Sequence, residues 1–306
     1  MTAIRVAIPD MISPSYFPAI AAVELGFFKQ EGLDAGIELI YPVTKTYEEL
    51  RDGKVDYVGG AAHAPLYAFK DWAGCRLLGA LAQNMYWYLI VRKDLQAKRG
   101  DLHALKGLRI GAAPGPVDGL KRMLRDVGMN PDTDVQIGPV PGVAGVVSFG
   151  VTAAKALEEG KLDGFWANGM GSEVAILNGV GSLLLDARRG DGPAGSVDYT
   201  FPAFVTTQRK VEEKPAEAQA AMRAIVNAQQ ALKRDPSLAV KAVKNHFPPA
   251  ETALIAELIR RDAPFFDAAI SRQKLDALND FSRSMGILSG PKAYGDVVAE
   301  CCRNVW

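Results

Sequence analysis

The phrase "LRDGKVDY" at residues 50–57 returns as "LEEGKLDG" at residues 157–164, and this repeat limits the fold more than any other feature of the chain. Each copy closes a short helical pattern, "TYEELRDGK" and "AAKALEEGK", and opens an apolar run, "VDYVGGA" and "LDGFWANG". Gly53 and Gly160 stand where a helix stops, because glycine takes the left-handed backbone of a helix C-terminus without a Cβ clash. Asp56 and Asp163 come early in runs that read as short buried strands. Helix-to-strand connections recur in any α/β protein. The same Gly-Lys-apolar-Asp in the same setting nevertheless favours two lobes built on one βα plan.

The rest of the chain agrees. Strand candidates "AIRVAIP", "GIELIY", "RLLGALA", "YWYLIVR", "LRIGAA", "DVQIGPV" and "SLLLD" alternate with helical stretches, which predicts α/β architecture. One helix is well marked: Pro116 suits its first turn, Leu120, Met123, Leu124 and Val127 form an apolar stripe, and Gly128 ends it. After about residue 209 the pattern turns to helices alone, in "PAEAQAAMRAIVNAQQALKRD", "AETALIAELIRRD" and "SRQKLDALNDFSRSMG". These are expected to cover lobes already formed. A length of 306 residues exceeds what one hydrophobic core usually serves, so two lobes are also the expectation from size.

Composition removes several classes of function. With 35 basic and 35 acidic side chains and no long run of either sign, no basic stripe offers itself to phosphate, so nucleic acid is not an expected partner. No apolar segment approaches the roughly 20 residues that span a bilayer. The start, "MTAIRVAIPD", goes straight into a strand-like alternation with no signal segment, so the expected compartment is the periplasm if a leader has been removed and the cytoplasm otherwise. Cys75, Cys301 and Cys302 make no disulfide framework and no CxxC pattern, and no metal or cofactor is expected.

One stretch carries a family resemblance. "SYFPAIAAVELGFFKQEGLDAGIEL", and within it Gly26 to Leu33, resembles the opening of type II solute-binding proteins of the NMT1/THI5-like group. "DLHALKGLRIGAAPGPVDGLKRMLRDVGMNPD", "ALEEGKLDGFWA" and "MRAIVNAQQALKRDP" are similar to later parts of the same group, so the resemblance covers nearly the whole chain. It implies a two-lobed type II periplasmic-binding-protein fold with a ligand cleft between similar α/β lobes. Residues 1–90 and 205–306 would form the first lobe and 91–204 the second, joined by a two-strand hinge near "WYLIVRK" and "TFPAFVTT", with the C-terminal helices on lobe one. The implied role is capture of a small solute for an ABC-type importer, with a permease as partner and a monomer as the working state.

In open α/β sheets, ligands collect at the carboxyl ends of strands, where helix N-termini point free N–H groups outward. Five loops fit that rule. The first offers Asp10, Ser13, Ser15 and Tyr16, with Ser13 equally suited to cap a helix before Pro14. The second, "GGAAHAP", offers Ala62 and His63; a helix N-terminus disfavours imidazolium, so a neutral His63 is expected to hydrogen-bond a ligand. The third holds Asn84 and Trp87, and Tyr86, Trp87 and Tyr88 cannot all face one way on a strand. The fourth, "APGPVDG", places Gly115, Pro116, Val117 and Asp118 where oxyanion-binding relatives carry hydroxyls. Asp118 either stabilises its own helix N-terminus or repels an anion by about 1 kcal/mol at contact even in high dielectric. The fifth offers Trp166, as a stacking surface or a core residue, and Asn168; Tyr199 precedes the returning strand.

These residues describe an aromatic, sparsely charged site suited to a small aromatic or cyclic solute. The alternative is an enzyme on the same fold acting on such a substrate, resembling a desulfinase, a decarboxylase or a pyrimidine synthase. A desulfinase of this kind uses a cysteine, and the loops above contain none. No HExxH, phosphate-binding loop or GxGxxG after a strand is present.

Overall fold

The computed structural model describes residues 1–143 and 148–306. The chain divides into two compact units, Met1–Gln83 with Thr200–Trp306, and Asn84–Tyr199. The division falls several residues before the boundaries expected near 90 and 205. The reason lies in hydrogen bonding. A strand joins the sheet that receives its N–H and C=O groups, and each of the two expected hinge strands bonds within one sheet only.

In the first unit, β1 (Thr2–Ile8), β2 (Leu33–Leu39), β3 (Tyr57–Ala61), β4 (Cys75–Ala80) and β10 (Pro202–Thr207) form a sheet in the order β2-β1-β3-β10-β4. β1 runs parallel to β2 and β3, while β10 runs antiparallel to β3 and β4. In the second unit, β5 (Tyr88–Arg92), β6 (Arg109–Ala112), β7 (Gln136–Gly138), β8 (Gly164–Ala167) and β9 (Gly181–Asp186) form the order β7-β6-β8-β5-β9. Here β6 is parallel to β7 and β8, and β5 is antiparallel to β8 and β9. The two sheets therefore share one plan, with β10 and β5 as the single reversed strand of each.

The helices are α1 (Phe17–Glu24), α2 (Phe27–Gln30), α3 (Val43–Arg51), α4 (Val117–Asp126), α5 (Phe149–Glu158), α6 (Gly169–Leu177), α7 (Gln208–Glu213), α8 (Pro215–Arg234), α9 (Leu238–Val243), α10 (Pro249–Asp262), α11 (Arg272–Ser284) and α12 (Tyr294–Val297). The expected C-terminal helices are present and lie on the first unit. α8 packs against α1 and α2, burying Met222, Ile225 and Leu232, each worth about 1.5–3 kcal/mol of apolar burial. Its Gln229 amide donates to the carbonyls of Ala80 and Leu81, both at 2.9 Å. Those carbonyls lie at and just beyond the end of β4, and a buried acceptor left unmet costs about 1–3 kcal/mol.

The repeated phrase proves to be the same device built twice. Gly53 and Gly160 both take positive φ, 72° and 68°, at helix ends where Lys54 N–H returns to the Glu49 carbonyl and Lys161 N–H to the Ala156 carbonyl, each at 2.9 Å. The next strand is then pinned by its aspartate. Asp56 accepts the Arg5 N–H at 2.8 Å and Asp163 accepts the Arg109 N–H at 2.9 Å. The Asp56 and Asp163 N–H groups return to the carbonyls of Arg5 and Arg109, both at 2.9 Å. Both devices lie at the amino ends of β3 and β8.

Candidate functional site

Parallel strands send all their carboxyl ends to one edge of a sheet, and a reversed strand begins at that edge. In the first unit this edge gathers the segments after β1, β2, β3 and β4 and the start of β10. In the second it gathers the segments after β6, β7, β8 and β9 and the start of β5. Every residue expected at the site lies in or beside one of these segments. Both passages of the chain between units, Gln83–Asn84 and Tyr199–Thr200, also leave from these edges.

In the first unit, Asp10 follows β1 and accepts the Ile12 N–H at 3.0 Å, which turns the chain sharply. Ser13 does not cap a helix: α1 has Tyr16 at its N-cap and no side-chain cap. Ser13 is 1% exposed, and its hydroxyl is buried without a hydrogen-bond partner among the described residues. Ser15 and Tyr16 are also buried. After β3, the Ala62 N–H donates to the Phe201 carbonyl at 2.8 Å. His63 begins a short 3₁₀ turn, Ala64–Tyr67; it is fully buried, with Nδ1 2.9 Å from the Thr200 hydroxyl and the ring edge-on to Phe281. Gly60 in β3 leaves room for Tyr47, whose hydroxyl would lie 2.7 Å from a Cβ there and donates to the Ala61 carbonyl.

In the second unit, Gly115 has φ of 87° and accepts the Asp118 N–H at 3.1 Å. Val117 and Asp118 open α4, with Asp118 buried in its first turn. Asn84 adopts φ of 68° and its amide donates to the Arg188 carbonyl at 3.1 Å. Tyr86, Trp87 and Tyr88 are all buried. Trp87 packs on Tyr86 and on Trp166, with ring centroids 4.3 and 5.9 Å apart, and close to Gly119 of α4. Trp166, expected either as a stacking surface or in the core, is 0% exposed, and its indole N–H donates to the Pro116 carbonyl at 2.9 Å. Asn168 caps α6, its side-chain oxygen accepting the N–H groups of Met170 and Gly171. Tyr199 bonds Asp126 under the Arg122 guanidinium.

Three residues at these edges escape sequence reasoning. Tyr41 follows β2; burial, reinforced by the charge of Asp10, pushes its phenol up to about 12. Thr200 is the partner of His63. Arg188 follows β9 and is 2% exposed, with its guanidinium 5.9 Å from the centre of the Tyr86 ring. Applying the strand-end rule to the segments after β2 and β9 would have found Tyr41 and Arg188. The thiols lie elsewhere: Cys75 begins β4 at the opposite edge, where burial pushes it up to about 12, and Cys301 and Cys302 lie in the last helical turn. Among the described residues, no group of three or more His, Cys, Asp or Glu could hold a metal ion.

Two α/β units on one plan, with their polar and aromatic residues gathered at the strand ends, define the fold class shared with periplasmic binding proteins. A sequence model described as NMT1/THI5 like matches residues 13–239, and the chain belongs to that family. No curated protein matches it. Among solved structures, the chain is similar to the alkanesulfonate-binding protein SsuA of Xanthomonas axonopodis pv. citri, at TM-score 0.73 and 17% identity over 99% of this chain and 98% of that one. It is similar to the periplasmic nitrate-binding protein NrtA of Synechocystis PCC 6803, at TM-score 0.75 and 14% identity over 100% and 88%. It is also similar to the desulfurization enzyme DszB, at TM-score 0.65 and 16% identity over 98% of each chain. At such identities the likeness is one of fold.

Proposed function

We propose that this protein is a solute-binding protein of an ABC-type importer, which captures a small aromatic or heterocyclic solute with the strand-end loops of its two units and delivers it to a membrane permease. The observation that carries this reading is topological. All the candidate residues, from Asp10 and His63 to Asp118 and Asn168, fall on the strand-carboxyl edge of their own sheet. The names of the SsuA and NrtA relatives support a binding role, and the NrtA name supports a periplasmic one. The protein is proposed to work as a monomer.

The charges favour a solute that offers N–H or O–H groups. Among the described residues, the edges hold three buried carboxylates, Asp10, Asp118 and Asp186, the last ion-paired with Arg189 at 2.8 Å, and one buried guanidinium, Arg188. A bare oxyanion would meet the repulsion of the carboxylates in a low-dielectric setting. The likeness to DszB keeps an enzymatic reading in view, but a cysteine nucleophile for it would have to come from a thiol at these edges, and Cys75, Cys301 and Cys302 all lie away from them.

A thermal-shift panel of aromatic acids, pyrimidines, alkanesulfonates and nitrate tests the proposal. A solute at 100 times its Kd stabilises the fold by about 2.7 kcal/mol. A shift confined to nitrate or sulfonates would overturn the assigned solute class, and turnover of a bound solute would overturn the binding role.

A further inference from the structure

The last helical turn of the first unit, Glu300–Val305, carries two adjacent thiols whose sulfurs lie 3.9 Å apart. The turn is fixed on several sides. Ala299 N–H donates to the Leu77 carbonyl at 2.9 Å, the Gln219 amide donates to the Cys301 carbonyl at 2.7 Å, and the Trp306 indole N–H donates to the Leu78 carbonyl at 2.9 Å. Cys302 is buried and Cys301 half-buried. One atom bonded to both sulfurs at about 2.3 Å, the length of a zinc–thiolate bond, holds them roughly 3.4 Å apart at the angle of about 95° of pyramidal arsenic(III). The pair stands about half an ångström from that spacing, within reach of small side-chain rotations.

The surroundings select among soft acceptors. A metal ion would have only these two thiolates, since no larger ligand group exists among the described residues, and the positive charge of Arg223 bears on Cys302. A neutral trivalent arsenical needs only two thiols and keeps its own third substituent. We propose that Cys301 and Cys302 form a bidentate site for trivalent arsenicals of the type R–As(OH)₂. Two As–O bonds break and two As–S bonds form. Each thiol proton leaves with a hydroxide as water, and no electrons are transferred. The half-buried Cys301 reacts first. Closure onto Cys302 is then intramolecular, with an effective concentration in the millimolar range or above.

The test treats the folded, full-length chain with phenylarsonous acid and reads intact mass and free thiols. The expected result is one phenylarsenic group per chain with two waters lost, and a fall from three free thiols to one. A dithiol should reverse the adduct and excess monothiol should not. Cys301→Ser, at the half-buried position, should weaken uptake at least about 100-fold, as expected when a chelate becomes a single bond, whereas Cys75→Ser should leave it unchanged. Cys302→Ala, checked for an intact fold by circular dichroism, should match Cys301→Ser. Undiminished uptake by Cys301→Ser, labelling at Cys75, or uptake only after denaturation would overturn the proposal. None of these readouts involves the solute, so the result stands apart from that of the binding role.

Discussion

The backbone N–H of Arg109 donates to the Asp163 carboxylate at 2.9 Å, and the Arg109 guanidinium closes on the same carboxylate at 2.9 and 3.0 Å. One side chain thus fixes where β8 begins relative to β6. The guanidinium also reaches the Gly160 carbonyl at 3.0 Å, so it ties the preceding helix end to the same point. In the first unit the Arg5 N–H donates to Asp56 at 2.8 Å and its guanidinium reaches the Gly53 carbonyl at 3.4 Å, while Lys210 forms an ion pair with Asp56 at 2.8 Å.

Asp163→Ala removes the acceptor of at least three of these bonds and leaves the Arg109 N–H unmet. Hydrogen bonds to charged groups contribute about 1.5–3 kcal/mol, and a loss in that range is expected in urea denaturation, with an unchanged m-value. A loss below about 0.5 kcal/mol would show that the repeat is decorative.

The same carboxylates set an acid limit. The Arg109 guanidinium holds Asp163 below its ordinary value. For Asp56, burial pushes the other way, but the Lys210 ammonium and the Arg5 N–H outweigh it and hold the carboxyl down. A group depressed on folding adds stability that is full above its unfolded value, about 3.9, and is lost as pH falls through the folded one. Tm should therefore drop steeply below about pH 4, and Asp163→Asn should flatten that drop while lowering Tm at neutral pH. An unchanged acid limb in the variant would refute the assignment.

The α5–α6 crossing rests on absent side chains. A Cβ on Gly171 would lie 2.3 Å from the carbonyl carbon and oxygen of Gly150, a backbone clash that no rotamer relieves. Glycine to alanine inside a free helix gains up to about 1 kcal/mol. Here Gly171→Ala should instead cost about 1–3 kcal/mol, read as a lower urea midpoint.

Trp166 bears on the site through Pro116. Trp166→Phe keeps an aromatic ring but removes one of two donors to the Pro116 carbonyl, which still accepts the Gly119 N–H at 3.2 Å, and a loss of about 0.5–1.5 kcal/mol is expected. Faster amide hydrogen exchange in residues 115–118 should accompany it. Unaltered exchange there would separate Trp166 from the α4 loop.

Sequence alone made most of the fold legible, because buried strands and marked helices carry their own patterns. The edge strands were read least well. β2 was expected over residues 36–41 and lies at Leu33–Leu39, since its register comes from pairing Thr2 with Leu33 rather than from its own apolar content. β7, expected over 134–140, keeps only Gln136–Gly138. The loops of the candidate site follow from strand ends, but their side-chain contacts do not. His63 meets Thr200 from 137 positions away in the chain, and no local pattern announces such a pair. The aromatic residues were visible as residues, whereas their burial depends on contacts with the start of α4, where Gly119 meets Trp87 and the Pro116 carbonyl meets Trp166.

The most direct test of solute capture at the strand ends is the Ser13→Ala variant with the best solute of the panel. Its buried hydroxyl has no partner among the described residues, so its removal should leave the Tm of the free protein unchanged or slightly higher. If Ser13 meets the solute, the solute-induced shift should shrink, with Kd about 5- to 30-fold weaker for a lost bond of roughly 1–2 kcal/mol. A full shift at unchanged Kd, together with a lower Tm of the free protein, would contradict the account.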